Sequence, residues 1–308
     1  MKAIYVSNLK KYFNGIKAVD GISFEVEEGE IFALLGPNGA GKTTTVKMLT
    51  CQLKPTDGKA NIFGYDIIKN ASKIRKLIGI VPQEKALNEL LTAEQNLYFY
   101  GMLYDLPKKK IRKKADELLS IMELEKRKKE LVKNFSGGMK QRLNIILALL
   151  HEPKLLFLDE PTTGLDPQAR RHIWEFIKKI NKEGTTIFLT THYMEEADNL
   201  CNRVAIIDNG KIIEMDTPSN LKKKLEKEKI LEIEIEYDEK MVQKIKEIKG
   251  IKQAIYSDGF LKLIVEDRKK LLLDIVKVLS DRNIKSIETL EPTLEDVFIA
   301  LTGKRLRD

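Results

Sequence analysis

The chain has 308 residues, of which 43% are hydrophobic and 32% charged, with a formal net charge of +8. This balance describes a soluble globular chain of about two domains and excludes disordered or fibrous classes. No segment approaches the roughly 18 uncharged apolar residues of a membrane-crossing helix. The start, "MKAIYVSNLKKYF", lacks the apolar core and cleavage site of a secretory signal. Cys51 and Cys201 are isolated, without metal-ligand spacing, as expected of packed thiols in a reducing cytoplasm.

Near the start, "KKYFNGIKAV" puts Tyr12 beside Phe13, and either ring could stack on a flat base or pack in a core. "EIFALLGPNGAGKTTTVKML" follows: a buried strand (Ile31 to Leu35), a glycine-rich turn, then a helix. This is the setting that the G-x-x-x-x-G-K-[ST] pattern requires. Along Gly36, Pro37, Asn38, Gly39, Ala40 and Gly41, backbone N–H groups can wrap phosphates, and the helix N-terminus adds partial positive charge. Lys42 can then reach the β- and γ-phosphates of a nucleotide, Thr43 can ligate Mg²⁺, and Thr44 can contact the α-phosphate.

"IVPQ" ends a short strand (Ile78 to Val81) and presents Gln83, whose amide can touch the metal or an attacking water. Beyond it, "LTAEQNLYFYGMLYDL" carries large side chains expected to pack a helical subdomain, leaving some aromatics to accept a partner's helix. The basic runs "LPKKKIRKK" and "EKRKKELVK" flank Ile111, Ala115, Leu118, Leu119 and Met122 at helical spacing. Their lysines read as the wet face of an amphipathic helix, so the positive charge does not call for nucleic acid.

"NFSGGMKQRL" supplies a second glycine pair, Gly137 and Gly138, after Ser136. Alone, it is either a second anion grip or ordinary loop chemistry. "KLLFLDEP" reads as a buried parallel strand ending in Asp159, placed to hold Mg²⁺, and Glu160, placed to polarise a water. "TTIFLTTHYMEEAD" is another buried strand with His192 just past its end, where ligands bind in such sheets. His151 and His172 are expected to be structural.

After "TPSNLKKKLEKEK" the pattern restarts. "LEIEIEY" (231–237) alternates as a half-buried strand does, followed by a helix (239–248) and two strands (251–256, 260–265) around Asp258-Gly259. A helix (268–282), a strand (284–290) and a final helix opened by Pro292 and Thr293 complete a β-α-β-β-α-β order. Residues 221–308 carry 20 basic and 18 acidic residues and no catalytic pair, so regulation or assembly is expected of this tail.

Residues 1 to about 225 resemble the nucleotide-binding subunit of an ATP-binding cassette (ABC) transporter. The resemblance rests on the aromatic at Phe13, Walker A (36–44), Gln83, the signature (135–139), Walker B (155–160), "GLDP" (164–167) and His192, in that order. It implies an α/β P-loop cassette with a RecA-like core, an antiparallel β subdomain and a helical subdomain, followed by a ferredoxin-like domain over 226–308. It implies that two cassettes, identical or different, pack head to tail. Ser136, Gly137 and Gly138 then serve ATP held by the partner, and Asp166 of "GLDP" is an ATP-binding residue. The signature departs from the commonest form at Phe135 and Met139. "SGGMKQRL", "EPTTGLDPQARRHIW" and "EPTLEDVFIALTG" are similar to exporter ATPases for drugs, sodium and lipid-linked polysaccharides, whose permease is a separate chain. A place on the inner face of the cell membrane, through that permease, is implied. The alternative is a soluble ABC ATPase with a scaffold, nucleic-acid or ribosome role. A guanine-nucleotide switch is disfavoured because "NKEG" (181–184) lacks the aspartate of a base reader.

Overall fold

The computed structural model describes residues 1–84, 86–225, 228–266, 271–279, 282 and 284–303. The chain divides into two compact units, Met1–Glu214 and Met215–Asp308.

In the first unit, β1 (Lys2–Phe13) and β2 (Ile16–Glu27) form an antiparallel hairpin. Its turn is Asn14-Gly15, both at positive φ (45° and 86°), as a tight turn matching strand twist requires. β3 (Ile31–Leu35) follows, buried at all five positions, and leads into α1 (Lys42–Leu49). β4 (Asp57–Ile62) and β5 (Tyr65–Asp66) complete a four-stranded sheet ordered β2-β1-β4-β5. α2 (Ala71–Leu77) then gives way to β6 (Ile78–Val81).

The helical subdomain consists of α3 (Ala93–Leu103), α4 (Lys108–Ile121) and α5 (Gly137–Leu149). α3 starts on a reciprocal capping box between Thr92 and Gln95. Ile111, Ala115, Leu118 and Leu119 form the buried stripe of α4, so the lysines of "KKKIRKK" lie on its wet side.

The chain returns to the core through β7 (Leu155–Asp159), α6 (Pro167–Lys182), β8 (Thr186–Thr191), α7 (Met194–Leu200), β9 (Arg203–Asp208) and β10 (Lys211–Asp216). These strands build a six-stranded sheet in the order β10-β9-β3-β8-β7-β6, with parallel pairing from β9 through β6. Phe32, Phe188 and Phe157 occupy matched positions on β3, β8 and β7, and Phe24 of β2 stacks on Phe32 with centroids 5.4 Å apart. This aromatic ladder packs the antiparallel sheet against the core.

The second unit contains α8 (Pro218–Lys223), β11 (Glu228–Glu234), α9 (Glu239–Lys246), β12 (Ile251–Ser257), β13 (Phe260–Glu266), α10 (Leu271–Leu279), β14 (Ser286–Leu290) and α11 (Leu294–Thr302). Its antiparallel sheet runs β12-β13-β11-β14. Leu231, Ile233 and Ile235 pack with α9 and α10, while Ile230 and Ile264 pack with Ile299 of α11. Asp258 and Gly259 both sit at positive φ (54° and 88°), as the hairpin requires. The expected helix over 268–282 is described as α10 alone; 268–270 and 280–281 lie outside the described residues. Thr293 caps α11 in a box with Asp296. Among the described residues no helix is long and apolar enough to cross a membrane.

Candidate nucleotide site

β3, β7 and β8 stop at one edge of the six-stranded sheet, and their following residues meet there. The turn after β3 is shaped by close backbone approach. A Cβ on Gly36 would lie 2.2 Å from the Ile207 carbonyl oxygen. One on Gly41, at φ +104°, would lie 2.3 Å from that of Ala18. Only glycine fits either place. Pro37 to Ala40 arch between them, and Gly41 caps α1 without any side-chain bond. The opening N–H groups of the helix therefore face the loop with no side chain claiming them. Thr43 and Thr44 fall in the first turn.

Lys42 is buried, and its Nζ donates to the carbonyls of Gly36 (2.8 Å) and Pro37 (3.0 Å). It also stands 3.1 Å from Glu160 Oε1. The other carboxylate oxygen, Oε2, lies 3.2 Å from His192 Nδ1, a contact without the angle of a formed hydrogen bond. Thr163 Oγ1 donates to the same oxygen at 3.2 Å. Burial opposes the charge of Glu160, but His192 and Lys42 outweigh it and bring its carboxyl down to about 2. Glu160 adopts φ +51°, a left-handed conformation unusual for a side-chain-bearing residue and typical of functional sites.

Asp159 is buried and accepts from Thr190 Oγ1 (2.5 Å) and Thr43 Oγ1 (3.2 Å). Burial raises its carboxyl above the ordinary range, against the pull of those two hydroxyls. Asp159 and Thr43 form an all-oxygen pair facing the phosphate loop, which suits Mg²⁺ completed by phosphate and water oxygens. Among the described residues no group of three or more His, Cys, Asp or Glu could form a metal cage.

The sheet edge thus joins Lys42, Thr43, Asp159, Glu160 and His192 in one contact network. Phe13, Gln83, the signature and Asp166 lie outside it. Phe13 ends β1 and is 43% exposed, with the Lys11 ammonium 5.0 Å from its ring centroid, whereas Tyr12 spends its hydroxyl on Asp20 at 2.7 Å. Gln83 is exposed two residues beyond β6. Ser136 caps α5 by accepting from the Met139 N–H at 3.3 Å. Gly137 and Gly138 form its first turn, and Phe135 is buried. Asp166 caps α6, accepting from Ala169 N at 2.9 Å, with Pro167 in the first turn. His151 stacks on Tyr104 at 3.9 Å and bonds the Ile78 carbonyl, while His172 lies exposed on α6.

Sequence reasoning missed Thr190, which ties Asp159 to the neighbouring strand. Its signal was present: two threonines closing an otherwise apolar buried strand, "IFLTT", must find partners.

Strand-loop-helix geometry with a buried lysine and a strand-end acidic pair defines a P-loop nucleoside triphosphatase. Residues 19–163 match the ABC transporter family. The chain is 39% identical to the linearmycin resistance ATP-binding protein LnrL of Bacillus subtilis, over 99% of this chain and all of that protein. It is 34% identical to the daunorubicin/doxorubicin resistance ATP-binding protein DrrA of Streptomyces peucetius (98% and 93% covered). With the Nod factor export ATP-binding protein I of Rhizobium sp. it shares 36% (99% and 98%). A solved ATP-binding subunit of an ABC transporter superposes with TM-score 0.66 at 31% identity, covering 73% of this chain and 93% of its own. A dimeric ATP-binding cassette holding ADP and phosphate superposes with TM-score 0.64 at 29% identity (70% and 98%). The chain belongs to the ATP-binding subunits of ABC transporters, and it binds and hydrolyses ATP.

Proposed function

We propose that two cassettes close head to tail over two Mg·ATP and that this closure drives export through a separate permease. The observation that carries the chemistry is Glu160 buried between Lys42 and His192 at the strand edge. Gly36 to Thr44 cradle the phosphates with Lys42, and Phe13, exposed where Tyr12 spends its hydroxyl on Asp20, stacks on adenine once the Lys11 ammonium leaves its face. Thr43 and Asp159, with Gln83, would hold Mg²⁺, which would draw charge from the phosphate oxygens. His192 contacts the γ-phosphate, and Glu160 takes a proton from the attacking water.

A carboxylate near 2 is a weak base. When Lys42 turns to the phosphates, Glu160 loses its nearest cation and its basicity rises. The same movement that binds substrate therefore prepares the base. Ser136, Gly137 and Gly138, with Asp166, close on the partner's nucleotide, and the partner is a second copy or a related ATPase.

Export is supported by relatives named for drug resistance and Nod factor export. A groove of about 1000 Å³ between α3 and α4, lined by Tyr98, Phe99, Met102 and Leu119 and edged by Lys109 and Arg112, fits a cytoplasmic helix of the permease. Nothing in this placement requires nucleic acid, and it sets the chain on the cytoplasmic face of the membrane.

Two measurements test the reading. Glu160→Gln should retain ATP and accumulate as a dimer by size-exclusion chromatography with Mg·ATP, while hydrolysis falls about 10²–10⁴-fold. Wild-type turnover in this variant would remove Glu160 from its role. Affinity purification from solubilised membranes should recover a hydrophobic permease; recovery of ribosomes or DNA instead would favour the non-transport alternative.

A further inference from the structure

Beyond the phosphate cradle, α6 and α7 meet through a buried polar junction. Glu196 of α7 is fully buried. Its Oε1 accepts from Thr162 Oγ1 at 2.8 Å and from Trp174 Nε1 of α6 at 3.0 Å. Thr162 lies two residues after Glu160, on the segment that leads to Asp166, and Glu196 lies four residues after His192. One oxygen therefore joins the segment after the acidic pair, the helix that Asp166 caps, and the helix that follows His192.

A second rung runs parallel to the first. Arg170, one helical turn before Trp174, lays its guanidinium over the Tyr193 ring at 4.5 Å. The Tyr193 ring in turn meets that of His192, with centroids 4.2 Å apart. At its first turn α6 also touches the signature helix: a Cβ on Gly138 would stand 3.2 Å from Ala169 Cβ. α6 thus spans from the surroundings of His192 to the glycine pair of α5.

A carboxylate with no exposure is a costly way to fill space, since an apolar side chain of the same volume avoids the desolvation. What it supplies instead is direction, because two donors from different segments must converge on one point. We propose that Glu196 is a positioning residue that holds the Thr162 segment, α6 and the His192 segment as one body. On the roles proposed above for Glu160 and His192, contact with the γ-phosphate then moves α6 and is transmitted to Ser136–Gly138 in the same chain. Each site's nucleotide thereby sets the grip on the other.

Trp174 is the sole tryptophan of the chain, so intrinsic emission reads this junction directly. Mg·ATP should change the emission of the wild-type protein with the same concentration dependence as nucleotide binding measured by equilibrium dialysis. Glu196→Met fills the volume without an acceptor. It should lower kcat by about tenfold with KM for ATP within about twofold, and abolish the emission response. Glu196→Gln keeps a carbonyl that can accept both bonds, and should restore kcat to within about threefold of wild type. If Glu196→Met does not fold, Thr162→Val must show the same split between kcat and KM. A wild-type emission indifferent to Mg·ATP, unchanged kcat in Glu196→Met, or no recovery in Glu196→Gln would each overturn the proposal. These outcomes are separable from the base assignment, because Glu160→Gln loses hydrolysis whether or not the junction transmits anything.

Discussion

Lys42 and Lys262 each bury an ammonium against a carboxylate, Lys42 at 3.1 Å from Glu160 and Lys262 at 2.7 Å from Asp296. Their surroundings differ. Lys262 sits within β13, whose backbone pairs with β11 on one side and β12 on the other. Asp296 also accepts from the N–H (2.8 Å) and hydroxyl (2.6 Å) of Thr293, in the capping box of α11. Lys42 instead reaches across a loop on a flexible stem, and Glu160 shares its oxygens with His192 and Thr163. In the tail the pair is fixed by regular backbone at both ends and staples a helix to a sheet. In the cassette it joins the first turn of α1 to the residue just past β7, and on the proposed role of Lys42 its partner is exchanged for a phosphate. A buried ion pair reads as structure or as machinery according to what holds its two ends.

Breaking the cassette pair should have the largest effect. Lys42→Ala should lower ATPase about 10²–10³-fold or more, since it removes the mobile cation of the phosphate cradle. Ser136→Arg should bind ATP as a monomer yet fail to hydrolyse it. Mixing the two variants assembles one composite site with both elements intact, so partial recovery of activity is expected. Normal hydrolysis by Ser136→Arg alone would show that the signature does not serve a partner's nucleotide.

Breaking the tail pair should cost stability instead. Lys262→Met leaves Asp296 charged and buried, which typically destabilises by about 3–5 kcal/mol. Urea unfolding followed through the second unit should record that loss, with KM for ATP unchanged. If ATP binding weakened in parallel, the division of labour between the two pairs would be wrong.

A smaller effect tests the cassette pair by pH. The carboxyl of Glu160 is depressed to about 2 from an ordinary glutamate value, so its charge stabilises the fold above about 4.5. That contribution is lost as pH falls from about 4.5 towards 2. Calorimetry without nucleotide should show wild type melting roughly 2–4 °C above Glu160→Gln near neutrality, with the gap closing in acid. A gap independent of pH would mean that the carboxylate's charge is not what stabilises the loop.

The smallest effect is expected from removing the tail. A chain ending at Leu225 should bind Mg·ATP with KM within about twofold of wild type, because every proposed nucleotide contact precedes residue 200. α8 packs with α11 in the second unit, so a chain ending at Asp216 is the cleaner version of the cut. Self-association and permease capture are where a difference should appear. A monodisperse truncation unable to bind ATP would end the two-domain proposal.

The phosphate loop, the acidic pair and His192 were legible in the sequence because their chemistry restricts residue type at fixed spacing. Gly36 and Gly41 show why: backbone carbonyls occupy the space where a Cβ would stand. Pairings across distant segments were not legible. Nothing in the spacing of Lys42 and Glu160, or of Trp174 and Glu196, announces that they touch, because the sheet order decides it. The tail's first strand illustrates a middle case. "LEIEIEY" showed the alternation of Leu231, Ile233 and Ile235, but the strand spans Glu228–Glu234 because Ile230, on the opposite face, is buried against Ile264 and Ile299. Reading one face alone shifted the element by three residues.

Gly41 begins α1 without a side-chain cap, whereas Ser136 and Asp166 supply one to α5 and α6. On the proposed placement of the phosphates, the start of α1 is finished by the nucleotide rather than by its own chain. Ligand that binds only the folded form adds about 2.7 kcal/mol of stability at a hundredfold excess over its dissociation constant. In a cell the survival of this subunit against proteolysis should therefore follow the ATP supply, so that starvation removes the pump's motor as well as its fuel.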